Sequence, residues 1–426
     1  MARFDCYHQS RLMLASQAAS LIPNDSRIVM GLGVSQPPAI LQALAERASA
    51  GQVSGLSLYY LLSAELAGQS VLRHDLRLAI RPMSLFHGSI ERSLDDCRAA
   101  DQCPPVDFIP SAFSQVPSIL RDQIGIDTLI TTVSPMDDEG NFSFGTNTDY
   151  AHAIAQSAKR VILEVNAQMP QVDGNCKIHV SRVTALVSND CELINVPRAR
   201  SRAADDAIGV RVAGLIEDGA CLQMGIGAVP DAVCAALHGH RHLGIHTELM
   251  TPALAALMRS GVVDNSRKSL HPGKSIFTFA MGDRPFYRFL HRNPGIEAHP
   301  VEYVNDPAVI SRNGAMVSVN ATLQVDLTGA CNSEYMGGRQ YSGSGGQLDF
   351  VRGASASPGG KSIIACHSTA AAGTVSRIVP WLDGPVTTPR NDTQIGSVAK
   401  IVKLEHAWRR LDGRNDDGFQ VAPFPG

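Results

Sequence analysis

The segment Leu243-Gly244-Ile245-His246-Thr247-Glu248-Leu249-Met250 sets one carboxylate in a largely apolar run. It follows the glycine turn Gly225-Ile226-Gly227 by about twenty residues, the distance needed for one helix and a return to the next strand. That spacing puts Glu248 at the C-terminal end of a strand. A carboxylate there can attack a thioester to form an acyl anhydride, which the released thiolate converts into an enzyme-bound thioester. The same residues also suit a helix start, with Thr247 as the N-cap and Glu248 complementing the dipole in the first turn. Spacing alone favours this plainer arrangement.

A second element is Ser342-Gly343-Ser344-Gly345-Gly346-Gln347-Leu348-Asp349-Phe350. Its glycines leave backbone amides bare and able to approach a substrate closely. Such donors suit the oxyanion that forms when a thioester is attacked, each typically worth ~3 kcal/mol. A surface turn or a phosphate-binding nest is the plainer alternative. The acidic run Asp137-Asp138-Glu139 before Gly140-Asn141 reads as a solvated turn. His246 and Glu248 share a strand face at i, i+2, but no third ligand stands nearby in sequence, and no metal is expected. Cys366-His367-Ser368 lacks the support of a catalytic triad and reads as strand-end packing. The two Gly-x-Gly turns lack the third glycine of the dinucleotide fingerprint, and no Walker lysine is present.

Positioning these residues requires an alternating framework. Short β-branched runs at Ser26–Val29, Thr128–Val133 and Arg160–Val165 sit between Ala/Leu-rich helical stretches, an α/β pattern. Pro37–Ser49 is one such helix, opened by proline, with Ile40, Leu41 and Leu44 on its apolar face. The pattern Met30-Gly31-Leu32-Gly33 through Pro37-x-Ala39-Ile40, which carries one inserted residue, recurs as Met224-Gly225-Ile226-Gly227 through Pro230-x-Ala232-Val233. This predicts two similar α/β halves with the site between them. The polar stretch Asn195–Asp206 marks the boundary, giving an N-terminal unit over residues 1–195 and a C-terminal unit over 196–426. Tyr335–Lys361, with eight glycines and one proline, reads as a long loop around a short apolar strand.

Composition bounds the possibilities. The 426 residues are 44% hydrophobic and 18% charged, an ordinary globular balance with room for two cores. A net charge of -3 supplies no field for nucleic acid. Nine cysteines without a Cys-x-x-Cys pair argue against a disulfide framework and point to a reducing, cytoplasmic setting. No signal peptide and no apolar run long enough for a membrane span are evident.

Several segments together resemble the acetyl-CoA hydrolase/transferase group of class I CoA-transferases, especially its 4-hydroxybutyrate and butyrate branch. They are Gly31–Pro37 (GLGVSQP), Ser134–Gly145 (SPMDDEGNFSFG), Asn166–Pro170 (NAQMP), Leu222–Val233 (LQMGIGAVPDAV), Gly244–Met250 (GIHTELM), Ser342–Ala354 (SGSGGQLDFVRGA) and Thr388–Asp392 (TPRND). The resemblance implies two open α/β domains with the active site in their cleft. It assigns the catalytic glutamate to Glu248, and the oxyanion and CoA-facing backbone to Gly225, Gly227, Gly343, Gly345 and Gly346. Gly33, Gln36 and Pro37 would border the acyl pocket. It further implies ping-pong transfer of CoA between short-chain acids such as butyrate, 4-hydroxybutyrate, itaconate or succinate. No cofactor beyond the CoA thioester substrate is implied, and a homo-oligomer is expected. A short-chain acyl-CoA hydrolase using the same glutamate, or a non-catalytic acyl-CoA-binding protein, are the alternatives. After Asp392 the chain departs from the family pattern, reading Thr393-Gln394-Ile395-Gly396 where an apolar strand and a Thr-Glu-Tyr-Gly motif are usual.

Overall fold

Thr128–Val133 (TLITTV) and Ser275–Ala280 (SIFTFA) are buried at every position. Strands buried on both faces belong inside parallel sheets covered by helices, and the chain builds two of them. The computed structural model describes residues 5–96, 106–197 and 201–394; Ile395 onward, including most of the departure from the family pattern, lies outside them.

In chain order the strands that the first half gives to the two large sheets are β1 (Arg27–Met30), β2 (Leu56–Leu61), β3 (Ile80–Phe86), β4 (Asp107–Phe108), β5 (Thr128–Val133), β6 (Arg160–Val165), β7 (Asp173–Gly174) and β8 (Ala185–Ser188). Those of the second are β9 (Cys221–Met224), β10 (Gly244–Met250), β11 (Ser275–Ala280), β12 (Ile296–Ala298), β13 (Met316–Asn320) and β14 (Lys361–Ile364). The two seven-stranded sheets run β8-β6-β5-β1-β2-β3-β4 and β14-β13-β9-β10-β11-β12-β7. Every neighbouring pair in them is parallel.

Both sheets follow one plan. The leading strand, β1 or β9, lies inside the sheet, the next three strands step outward on one side, and the chain then returns to the other. The order therefore reverses beside β1 and beside β9, opening a crevice at the strands' C-terminal ends. The repeated Met-Gly-x-Gly pattern falls at these two points: Met30 ends β1 and Met224 ends β9, followed by helices α1 (Pro38–Ser49) and α2 (Ala228–Ala236). Ile40, Leu41 and Leu44 of α1 are buried, as the apolar spacing predicts. Glu164 of β6, also buried, accepts from the Ile40 amide at 3.1 Å and so serves the proline-opened start of that helix.

The halves are interlocked rather than merely tethered. β7, from the first half, adds to the edge of the second sheet, pairing Asp173 with Glu297 and Gly174 with Ala298. Gly174 has φ 111°, and a Cβ there would sit 2.4 Å from the Ala298 carbonyl oxygen, so only glycine lets this strand close.

Two local expectations are corrected. Thr247 and Glu248 lie inside β10, and the cap of the next helix, α3 (Pro252–Arg259), is Thr251, whose side chain accepts from the Leu254 amide. A parallel strand pairing with Phe277 and Phe279 on β11 overrides the local capping preference at Thr247. Within Tyr335–Lys361 the apolar stretch is a helix, not a strand: Phe350, Val351 and Ala354 bury one face of α6 (Gln347–Ala356). No helix among the described residues is long and apolar enough to cross a membrane.

Candidate active site in the cleft between the halves

Between α3 and α6 the second half contributes α4 (Arg284–Leu290) and α5 (Val301–Val304). The cleft gathers the ends of β1, β2 and β3 from the first sheet and of β9, β10 and β13 from the second around a cavity of ≈ 350 Å³. Its wall is largely apolar, with Leu32, Leu61, Leu62, Phe86, Phe113 and Phe279 among the lining residues, and Glu248 projects into it. Among the described residues Arg377 is the only Lys or Arg that lines it.

Glu248 is partly buried, and its surroundings are specific. Asn305, at the C-cap of α5, donates from Nδ2 to Glu248 Oε2 at 2.6 Å. The same Nδ2 lies 3.5 Å from Asp349 Oδ2, so one amide stands between two carboxylates. Asp349, on α6, is held in turn from the opposite half: Ser114 donates to it from Oγ at 2.8 Å and from its backbone N–H at 3.0 Å. Desolvation pushes the Glu248 carboxyl up to about 8, with the hydrogen bonds from Asn305 and the Gly346 amide opposing and the Asp349 charge adding to the rise. Burial likewise raises Asp349 to about 6. Asn305 is fully buried, and its Oδ1 has no hydrogen-bond partner among the described residues.

The glycine loop fits this carboxylate closely. Gly346 is the N-cap of α6, and a Cβ on it would lie 1.7 Å from Glu248 Oε2 and 2.2 Å from Asn305 Nδ2. Gly345 has φ 52°, and Gly343 packs against Leu85 and Phe86 so closely that a Cβ would meet the Leu85 carbonyl at 2.9 Å. The loop is docked onto the first half by backbone bonds from Phe113 N to Gly345 O (2.9 Å) and from His87 N to Ser342 O (3.2 Å). Phe113 also packs edge-on to Phe279, with ring centroids 6.0 Å apart.

The structure thus brings Glu248, Gly225, Gly343, Gly345 and Gly346 to one cavity. Gly225 spends its N–H on the Val319 carbonyl at 2.8 Å. Gly227, with φ 121°, starts α2 and is not among the cavity's lining residues. Gly33, Gln36 and Pro37 are not among the residues that line the cavity: Gln36 accepts from the Ala64 amide at 3.1 Å, and a Cβ on Gly33 would be 3.6 Å from the Met281 sulfur. Their neighbour Leu32 brings the turn to the cavity wall. His246 is buried and bonds the Val304 carbonyl at 2.8 Å; desolvation lowers its pKa to about 3, so it is a neutral packing residue. Asp137 accepts from the Glu139 and Asn141 amides, the turn expected of the acidic run.

Sequence reading did not find Asn305 or Ser114, whose positions 57 and 134 residues from Glu248 carry no local signal. Asp349 stood within the glycine motif, three residues after Gly346, without a role assigned.

Comparison with known proteins decides the lineage. Residues 3–196 match the acetyl-CoA hydrolase/transferase N-terminal domain and residues 282–398 the C-terminal domain of the same family. The chain belongs to the acetyl-CoA hydrolase/transferase family. Within the family it is 40% identical to the succinyl-CoA:cyclohexane-1-carboxylate CoA transferase of Geobacter metallireducens, over 90% of this chain and 87% of that protein. It is also 40% identical to the 4-hydroxybutyrate coenzyme A transferase of Clostridium kluyveri, over 90% of this chain and 88% of that protein. The crystal structure of RipA from Yersinia pestis superposes with a TM-score of 0.88 at 50% identity, covering 91% of this chain and 89% of that one. The family's two-domain α/β fold is thus the fold described above.

Proposed function

We propose that the protein is a CoA-transferase that moves coenzyme A between short-chain carboxylic acids through a covalent intermediate on Glu248. The observation that carries this reading is the Glu248 carboxylate, placed in an apolar interdomain cavity and held by the Asn305 amide at 2.6 Å against the glycine loop. The relatives that match 90% of the chain are named for CoA transfer involving succinyl-CoA, cyclohexane-1-carboxylate and 4-hydroxybutyrate, which supports small carboxylic acids as the substrate class.

In the first half-reaction a Glu248 oxygen attacks the thioester carbonyl of the donor acyl-CoA. The C–S bond breaks, CoA leaves as thiolate, and the acyl group remains joined to Glu248 as an anhydride. The thiolate then attacks the glutamyl carbonyl of that anhydride and expels the donor acid as its carboxylate, leaving Glu248 as a CoA thioester. An incoming carboxylate runs the same two steps in reverse order of bonds: it attacks the glutamyl carbonyl and releases thiolate, and the thiolate takes the new acyl group. Protons are neither gained nor lost overall. The apolar wall excludes water that would hydrolyse either intermediate. Arg377 offers an anionic substrate its counter-charge, and binding energy from the distant parts of CoA fixes the reacting atoms.

The test is an exchange assay. Butyryl-CoA is incubated with labelled acetate, with and without protein. New acetyl-CoA formed in proportion to acceptor, and abolished in Glu248→Ala, supports transfer. Free thiol released independently of acceptor would make the protein a hydrolase, and CoA binding without turnover would make it a binding protein.

A further inference from the structure

Beside α5, the helix that ends at Asn305, three side chains converge from separate points in the chain. Glu297 is on β12, His299 follows two residues later, and His271 comes from the loop before β11. His299 Nε2 lies 3.1 Å and His271 Nδ1 3.5 Å from the same atom, Glu297 Oε2. One ligand atom from each of the three falls within 4.8 Å of the others. Metal–ligand bonds of about 2.0–2.2 Å around a tetrahedral ion place neighbouring ligand atoms roughly 3.3 Å apart, so the three need little movement to share one ion. All three are partly buried, with side-chain exposures of 26%, 21% and 14% for His271, Glu297 and His299.

The surrounding groups orient this trio. His271 Nε2 is 2.7 Å from the Tyr303 hydroxyl, which fixes the ring with Nδ1 facing Glu297. A metal-bound histidine has such a partner on its other nitrogen, and the partner fixes the tautomer. Lys274 Nζ stands 3.5 Å from the other oxygen, Glu297 Oε1, leaving Oε2 as a single ligand atom. When His271 carries its proton on Nε2, its Nδ1 lone pair meets the lone pairs of Oε2 directly, and a cation between them removes that repulsion.

We propose that His271, Glu297 and His299 form a three-ligand site for a divalent transition metal of the zinc class, with a fourth position open to water. Two imidazoles and one carboxylate match the preference of such ions and not of calcium or magnesium, which take oxygen ligands. Because α5 joins His299 to Asn305, the ion braces the segment whose end holds Glu248. That consequence rests on the role proposed for Glu248, but binding itself does not, and it is measured without turnover.

Full-length protein is stripped with chelator, exposed to zinc sulfate, desalted, and assayed for metal and protein by inductively coupled plasma mass spectrometry. About one zinc per chain is expected in the parent, and loss of it in Glu297→Gln and His299→Gln with unchanged circular dichroism. Tyr303→Phe keeps all three ligands and should weaken zinc ~10–100-fold in competition with a chromophoric chelator. Failure of the parent to retain zinc, or full retention by both ligand variants, overturns the site. Unchanged affinity in Tyr303→Phe overturns the part assigned to the tyrosine.

Discussion

Asn305→Ala removes the donor 2.6 Å from Glu248 Oε2 and leaves the carboxylate itself in place. Desolvation already holds Glu248 at about 8, so at pH 7 about one molecule in ten carries the nucleophilic carboxylate. A hydrogen bond to a charged group contributes ~1.5–3 kcal/mol, and 1.4 kcal/mol is tenfold, so its loss lowers the ionised fraction at pH 7 by a further ~10–100-fold. In a ping-pong reaction kcat/KM for the acyl-CoA donor reports the free enzyme and should fall by that factor. The sign follows from the nucleophile: it must lose its proton to attack. Parent kcat/KM therefore rises with pH up to and through about 8 and then levels, while the variant's rise is displaced to higher pH. Initial rates with butyryl-CoA and saturating acetate across neutral to alkaline pH, on protein checked by circular dichroism, give both profiles. A parent profile that is flat through this range, or a variant whose profile superposes on the parent's, refutes the reasoning.

Gly346→Ala places a methyl group 1.7 Å from Glu248 Oε2, so the carboxylate must turn away; transfer should fall at least ~100-fold with the fold intact, and near-parent activity would show that the loop does not set the carboxylate's position. Phe113→Ala empties a buried site between the halves, where Phe113 is 2% exposed, and should cost ~3–5 kcal/mol in urea unfolding; an unchanged midpoint would mean that the Phe113–Phe279 contact does not hold the halves together. Glu248's raised pKa means the folded state holds its proton more tightly than the unfolded chain, so stability falls as pH rises from the ordinary carboxyl range to about 8. Glu248→Gln should therefore melt above the parent at alkaline pH and lose that advantage in acid; an equal melting-temperature difference at both would contradict the shift.

The fold was legible in the sequence wherever burial on both strand faces and helix-starting prolines agreed, as at Thr128–Val133, Arg160–Val165 and the start of α1. It was misread where local chemistry had two solutions. Thr247-Glu248 is a good helix cap in isolation, and only pairing with β11 makes it strand. The stretch Gln347–Ala356 opens after glycines and looks loop-like until Phe350 and Val351 are seen packed as one helical face. The placing of Glu248 beside the glycine loop was foreseeable from motif resemblance, but its electrostatics were not. They depend on Asn305 and on Ser114, which reach the site only because the two halves close on each other. The same holds for the His271–Glu297–His299 cluster, where Glu297 on β12 and His299 just past its end carry no signal until a distant loop supplies the third side chain.

The central claim is a covalent CoA thioester on Glu248, and trapping it is the most direct test. Protein incubated with butyryl-CoA or succinyl-CoA is analysed intact by mass spectrometry, then treated with borohydride and digested. The account predicts a CoA-sized adduct, converted by borohydride into a reduced glutamyl alcohol on the peptide that contains Glu248. Folded, CoA-binding protein that turns over while leaving Glu248 unmodified across a panel of short acyl-CoAs would contradict it.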